Sequence, residues 1–488
     1  MVIESLKYKI LQQFGFAPTQ EQGQALDTFV SFLTDRDPQA VMILRGSAGT
    51  GKTSLSGAIV RTLLQIRQKV MLLAPTGRAA KVFSLGSGAP AYTIHRRIYR
   101  EKAFAGVDGQ FGLNDNLYTD TLFMVDEASM IANMGLGGTT FGSGCLLDDL
   151  VKFVYQGHND RLLLIGDKAQ LPPVGEEESP ALSASVMEGY GLKVYECDLN
   201  EVLRQSQSSG ILYNATLIRQ MITHDAVTGL PLIRFKGFAD IVMMPGAELV
   251  ESLGDSYHHV GMDETMVITR SNKRANIYSN GNRNMVLERE EELSSGDMLM
   301  IVKNNYFWTE KEKKESGEGS AGAVPAFLAN GDRAKVLRVS NYIELYGFRF
   351  ATLLLQLPDY DDYEMQVTGM LDTLQSEAPA LTHEQQEELF RQVEEDYQHF
   401  VPLKADRMKS IRQDAYFNAL QIKYAYAVTC HKAQGGQWAH VYVDQGYMTD
   451  DMLTPDYIHW LYTAFTRATD KLFLVNWPEE QTCEPTDL

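Results

Sequence analysis

The chain has 488 residues, enough for roughly two to four domains, and 44% of them are hydrophobic, an ordinary share for a folded globular protein. Its net charge of −19 argues against broad electrostatic attraction to nucleic acid, though not against a local basic groove. No run of about 18 uncharged apolar residues exists, so no membrane span is expected.

Met1 to Phe14 carries Lys7 and Lys9 and lacks the apolar stretch of a signal peptide. Cys145, Cys197, Cys430 and Cys483 lie far apart with no C-x-x-C spacing, which speaks against a zinc site and for a reducing compartment.

The apolar run Val41-Met42-Ile43-Leu44 reads as a buried strand, and residues 54–65 read as a helix. Between them stands Gly46-Ser47-Ala48-Gly49-Thr50-Gly51-Lys52-Thr53, the complete G-x-x-x-x-G-K-[ST] phosphate-binding pattern. Glycines let the backbone wrap a polyphosphate, and the N–H groups of the loop and helix start point at its charge. Lys52 is expected on the β- and γ-phosphates of ATP and the Thr53 hydroxyl on Mg²⁺.

Further short apolar strands are expected at 69–74, 121–125, 161–165 and 193–197, which predicts a parallel sheet with crossover helices and functional residues at the strands' carboxyl ends. A smaller segment, 100–120, holds Gly106, Gly109 and Gly112 among aromatics and predicts an inserted hairpin. A second α/β set is expected from strands at 265–269, 424–429, 440–443 and 472–475. Residues 296–421 have another texture. A charged, Gly/Ser-rich loop is expected at 311–322, antiparallel strands at 333–339 and 348–357, and a helix opened by the capping box Thr382-His383-Glu384-Gln385. Residues 359–396 are rich in Asp and Glu.

Beside the phosphate loop, two further strand ends carry chemistry. Asp126-Glu127 follows the apolar run at 122–125; the first carboxylate can hold Mg²⁺ through water and the second can orient or deprotonate the attacking water. Gly166-Asp167-Lys168-Ala169-Gln170 brings Gln170, whose amide can sense a γ-phosphate. Arg204 and Arg467 lie far from the phosphate loop in sequence, and guanidinium groups neutralise the charge that spreads over a transferring phosphoryl group.

In order along the chain, these segments resemble superfamily-one helicases of the branch that includes the phage helicase Dda and the RecD proteins. The resemblance covers about residues 15 to 477. It implies that Gln22 reads adenine. It also implies that Thr76 in Ala74-Pro75-Thr76-Gly77-Arg78-Ala79-Ala80, Thr93 and His95, and Thr429, His431 and Lys432 in Thr429-Cys430-His431-Lys432-Ala433-Gln434-Gly435 contact DNA. Gly436 and Gln437 depart from the Ser or Thr and Glu usual after that last motif.

The implied fold class is α/β, with two RecA-like P-loop NTPase domains, a small hairpin insertion in the first and an SH3-like β-rich insertion in the second. The expected boundaries are 1–99 with 121–215 for the first domain, 100–120 for the hairpin, 216–295 with 422–488 for the second, and 296–421 for its insertion. The implied activity is ATP-dependent 5′→3′ DNA unwinding, with ATP hydrolysed between the RecA-like domains and the hairpin as a pin presenting Phe104 and Phe111 to the last base pair. Implied partners are single-stranded DNA and duplex junctions, with single-strand-binding, replication or repair proteins beside them and no membrane. The working form is expected to be a cytoplasmic monomer, nucleoid-associated in a bacterium. Two rivals stay open: an RNA helicase or RNA-displacing ATPase, and a nucleotide-switched binding module that separates no strands.

Overall fold

The computed structural model describes residues 2–105, 108–135, 141–202, 208–223, 229–316, 324–325 and 327–483. Its contacts divide the chain into two compact units. One comprises Met1–Met244, Ala433–Ala439 and Tyr447–Leu488; the other comprises Pro245–Lys432 and His440–Gly446.

The first unit carries β1 (Ala40–Gly46), β2 (Lys69–Ala74), β3 (Ala91–Thr93), β4 (Tyr99–Ala105), β5 (Asp108–Leu113), β6 (Thr121–Val125), β7 (Arg161–Gly166), β8 (Lys193–Leu199) and β9 (Ile241–Met244). Six of them form a sheet in the order β3-β2-β6-β7-β1-β8, with every neighbouring pair parallel. β1, β6 and β7 are buried at every residue. Their near-continuous apolar runs follow from cover on both faces. Leu163 and Ile165 point to a core with Phe29, Phe32 and Leu63 from the helices Gln20–Thr34 and Lys52–Gln65. Leu162 and Leu164 point to the opposite core, with Phe153 and Leu150 from the helix Leu146–Gln156. Because β6, β7 and β1 are neighbours, the three chemistry-bearing strand ends open at one place.

β4 and β5 pair antiparallel, from Tyr99 opposite Leu113 to Ala105 opposite Asp108. Phe111 stacks on Phe141 with ring centres 4.8 Å apart and planes at 20°. Tyr118 meets Phe123 edge-on at 5.5 Å. Both rings pack against the core under the sheet. The face of Phe111 that was expected to meet a base is therefore committed to its own domain. The side chain of Phe104 lies outside the described residues.

The second unit holds β10 (Thr265–Thr269), β11 (Met298–Ile301), β12 (Arg333–Leu345), β13 (Phe348–Leu357), β14 (Tyr363–Met370), β15 (Leu420–Tyr424), β16 (Ala427–Thr429) and most of β17 (Trp438–Asp444). β10 pairs in parallel with β16 and with β17. In the first unit, β9 pairs in parallel with β18 (Ala468–Val475). Strands β11 to β15 close into a barrel. The helix His383–Gln398 starts from the Thr382–Gln385 capping box and, with Lys404–Arg412, packs Leu389, Val393 and Ile411 against Phe348, Phe350 and Met370 of the barrel. The fold is thus mixed α/β, with parallel sheets and a closed β-barrel.

Two further sequence expectations change. The loop expected at 311–322 is helical in its first half, because the helix Phe307–Ser316 is anchored by buried Trp308, whose Nε1 donates to Asn418 O at 2.9 Å. Its alternating Glu and Lys residues suit an exposed helix face as well as a loop. The single strand expected at 424–429 is two: β15 ends at Tyr424 and β16 begins at Ala427. Between them the Tyr426 hydroxyl turns inward, donating to Asp297 Oδ1 at 2.8 Å and accepting from Met298 N at 3.1 Å.

Asp297 is the hub of that junction. Fully buried, it accepts from Arg283 Nη2 at 3.0 Å, Arg289 Nη1 at 2.5 Å and Ser294 N at 2.8 Å. Removing the carboxylate leaves two arginines, one of them fully enclosed, without their anion. Asp297→Asn is expected to destabilise the second unit by about 3–5 kcal/mol, read as a lowered midpoint in urea unfolding.

Candidate functional site

The phosphate-binding loop leaves β1 with Gly49 at φ 78° and Gly51 at φ 75°. Only glycine takes these left-handed values without strain. Lys52 begins the following helix, and its Nζ donates to Gly46 O at 2.9 Å across the mouth of the loop. β6 ends beside it. Asp126 Oδ1 accepts from Glu127 N at 2.9 Å, and Glu127 itself stands at φ 52°, ψ 37°. A non-glycine residue in that region is strained and held by its surroundings. Burial pushes the Asp126 carboxyl up to about 6, the Glu127 charge adds to this, and Lys52 opposes it.

From the end of β7, Gln170 joins the set. With its amide oriented so that both ends are satisfied, Nε2 donates to Glu127 Oε2 at 3.2 Å and Oε1 accepts from Arg467 Nη2 at 3.2 Å. Arg467 is 2% exposed. Its other contacts are to Thr463 O at 3.1 Å, Gly436 O at 3.1 Å and Thr466 Oγ1 at 3.2 Å. Among the described residues no carboxylate pairs with it, so a buried cation is solvated by dipoles alone. Lys52, Thr53, Asp126, Glu127, Gln170 and Arg467 all line one cleft of about 440 Å³. Every lining residue belongs to the first unit.

Arg467 reaches the cleft because the helix Pro455–Phe465 is fastened to the loops of the sheet. The buried Tyr462 hydroxyl donates to Asp167 Oδ2 at 2.6 Å and accepts from Ala48 N, within the phosphate loop, at 3.0 Å. Burial and the Asp167 charge push that phenol far above its ordinary range. Leu171 N donates to Thr463 Oγ1 at 2.8 Å, and Gln434 Nε2 donates to Leu171 O at 2.7 Å. His459 Nδ1 lies 2.9 Å from Ala169 O.

Other expected residues fall elsewhere. Gln22 is 1% exposed and fully engaged. It closes a capping box with Thr19 and donates to Thr50 O at 2.8 Å, bracing the phosphate loop from behind rather than lining the cleft. Arg204 lies outside the described residues. Thr76 and Thr93 are N-caps, accepting from Ala79 N at 3.2 Å and Arg96 N at 3.3 Å. His95 lies between Phe141, 5.1 Å away edge-on, and Tyr99, 5.6 Å away. Burial pushes its imidazole down to about 4, which leaves it neutral at pH 7. In the second unit, Thr429 is half-buried, His431 is exposed, and Lys432 is half-buried with its ammonium pulled down by burial. Sequence reasoning missed Arg219, whose Nη1 donates to Ser47 Oγ at 2.5 Å, and the roles of Tyr462 and Thr463. Arg219 sits in an ordinary amphipathic helix with no motif to mark it.

Two family models match the chain: an AAA domain over residues 17–229 and a UvrD-like helicase C-terminal domain over 424–475. An uncharacterized protein of Methanocaldococcus jannaschii is 33% identical over 168 residues, 32% of this chain and 13% of that protein. The ATP-dependent RecD2 DNA helicase of Deinococcus radiodurans is 30% identical over 157 residues, 32% of this chain and 18% of its own. The chain thus spans less than a fifth of either relative's length. A crystal structure of the Pif1 helicase from Bacteroides, in complex with ADP-AlF3 and ssDNA, aligns over 96% of this chain and 95% of its own, with a TM-score of 0.45 and 13% identity. The two family matches stand in this order along one chain, an AAA domain first and a UvrD-like helicase C-terminal domain after it.

The Tyr462 hydroxyl yields a direct test. Tyr462→Phe keeps the packed ring and leaves Ala48 N–H and Asp167 without their shared partner. A lost buried hydrogen bond of this kind costs about 1–3 kcal/mol, so nucleotide affinity is expected to fall about tenfold. Titration with a fluorescent nucleotide, beside an unchanged circular dichroism spectrum, checks this.

Proposed function

We propose that the chain is an ATP-dependent DNA helicase that translocates 5′→3′ on single-stranded DNA and separates the duplex ahead of it. The observation that carries this reading is the convergence of the phosphate loop, Asp126-Glu127, Gln170 and a carboxylate-free buried Arg467 on one cleft. A cation buried without an anion is costly. The γ-phosphate of ATP is the anion whose charge, and whose loss on hydrolysis, would make that arrangement useful.

In this reading the N–H groups of residues 46–53 and Lys52 bind the phosphates. Thr53 and Asp126 would hold Mg²⁺, which supplies charge neutralisation when bound. Glu127 takes a proton from the attacking water, held in place by its strained backbone and by Gln170. Gln170 relays the state of the γ-phosphate between Glu127 and Arg467, and Arg467 neutralises the transferring group. Residues 1–99 with 121–215 would form the first RecA-like domain, 216–295 with 422–488 the second, and 296–421 its β-rich insertion. Thr76, Thr93, Thr429, His431 and Lys432 are proposed to line the path of the DNA. Cycles of nucleotide binding and release would then ratchet the chain along one strand. The β4–β5 ribbon, seated by Phe111 on Phe141, is proposed as the wedge at the fork.

Lys52→Ala is expected to abolish ATP hydrolysis. Glu127→Gln is expected to retain nucleotide binding and lose turnover by about 100-fold or more, since an amide cannot act as a base. Steady-state ATPase assays beside equilibrium binding separate the two variants, and near-normal hydrolysis in either removes the site.

Matched duplexes with a 5′ or a 3′ single-stranded tail test the substrate. Unwinding is expected from the 5′ tail with DNA; efficient unwinding from a 3′ tail alone would overturn the polarity. Stronger ATPase stimulation by RNA than by DNA would move the chain to the RNA-helicase rival.

A further inference from the structure

The departure at Gly436 and Gln437 has a structural counterpart. Arg78, in the first turn of the helix Gly77–Ser87, donates from Nη2 to Gln437 O at 2.6 Å. Its guanidinium also lies 4.6 Å from the centre of the Trp438 ring. The buried Trp438 fills the space over Gly436, where a Cβ would come within 2.5 Å of the indole and 3.1 Å of Arg78 Nε. Next to it Gly435, at φ 72°, presses on Thr76 and Ala79; a Cβ there would lie 3.1 Å from Thr76 Oγ1 and 2.9 Å from Ala79 Cβ. Serine or threonine at 436 would require the Trp438 ring or Arg78 to shift.

The same short loop is tied to the cleft. Gly436 O accepts from Arg467 Nη1 at 3.1 Å, Trp438 N donates to Arg467 O at 3.0 Å, and the Gln437 side lines the cleft. One side of the loop therefore touches Thr76, a proposed DNA contact, and the other holds Arg467. We propose that the Arg78–Trp438 clasp is the positioning element that transmits nucleic-acid binding at the Thr76 turn to Arg467. The inference rests on the helicase reading above. Arg78 is here a positioning residue: it acts on Arg467 through the Gly435–Trp438 loop.

The test measures ATPase rates of the full chain without DNA and at saturating oligo(dT), for the wild type, Arg78→Met, Trp438→Leu and the double variant. The maximal stimulated-to-unstimulated ratio is expected to fall about tenfold in each single variant, within the usual span of site-to-site coupling. The double variant should fall no further, as for two halves of one contact. Arg78→Lys, which keeps the charge and loses the planar stack and forked donor, should show an intermediate ratio and guards against a folding defect in the others. If Arg78 variants only raise the DNA concentration for half-maximal rate, with the full ratio regained at saturation and Trp438→Leu unaffected, Arg78 is a phosphate contact and the clasp is overturned. A stimulated wild type with unchanged variants overturns the clasp alone. A wild type indifferent to DNA overturns the helicase reading and the clasp with it.

Discussion

A guanidinium taken out of water must be solvated by something, and Arg467 is solvated mainly by peptide carbonyls. Two of them, Thr463 O and Gly436 O, come from segments far apart in sequence. Holding both in place dictates much of the surrounding structure. The helix Pro455–Phe465 is fixed by Tyr462 to Asp167 and the phosphate loop, and by Thr463 to Leu171. The Gly435–Trp438 loop is fixed by Gln434 to Leu171 O and by Arg78 to Gln437 O. Leu171 is gripped from both directions, through its N–H and its carbonyl. The residues after β7 thus bring Gln170 to the cleft and also form the bracket on which the arginine is mounted.

The cleft balances charge locally while the chain as a whole is strongly acidic, at −19. Asp126 and Glu127 are adjacent carboxylates facing Lys52 and Arg467. Burial and then the Glu127 charge push the Asp126 carboxyl up, and Lys52 opposes them. A polyphosphate with a divalent ion fits such a set because it brings both signs at once. The left-handed backbone at Glu127 turns its carboxylate away from the strand axis immediately after Asp126. Two neighbours on one chain can then serve different atoms.

The strand ends were legible because their signals are short-range. A buried strand, glycines at required positive φ and a Lys-Thr pair are all contained within a dozen residues, and the observed limits of β2, β6 and β10 coincide with the expected ones. Gln170 and Arg467 could be named from motifs, but not their junction, which depends on pairing across nearly three hundred residues. Aromatic residues misled most. Phe111 read as an exposed contact because its neighbours are polar and glycine-rich, and His95 was placed at DNA by the resemblance, yet both rings lie against Phe141. Phe141 lies well away in sequence, so no local pattern reveals the stack. Arg219 failed for the opposite reason: its contact to Ser47 is tertiary, and its helix looks like any other.

The buried Asp297 junction also gives the barrel a chemical weakness. Burial alone would raise its carboxyl, but Arg283, Ser294 N–H and Tyr426 together hold it below the usual range. A depressed carboxylate contributes stability that is complete above the unfolded pKa and is lost as pH falls through the folded one. Acid therefore discharges the one anion that Arg283 and Arg289 share and leaves the two guanidiniums to repel each other beneath β11. The junction at which the barrel joins its α/β surroundings is in this sense an acid-labile rivet, firm at neutral pH.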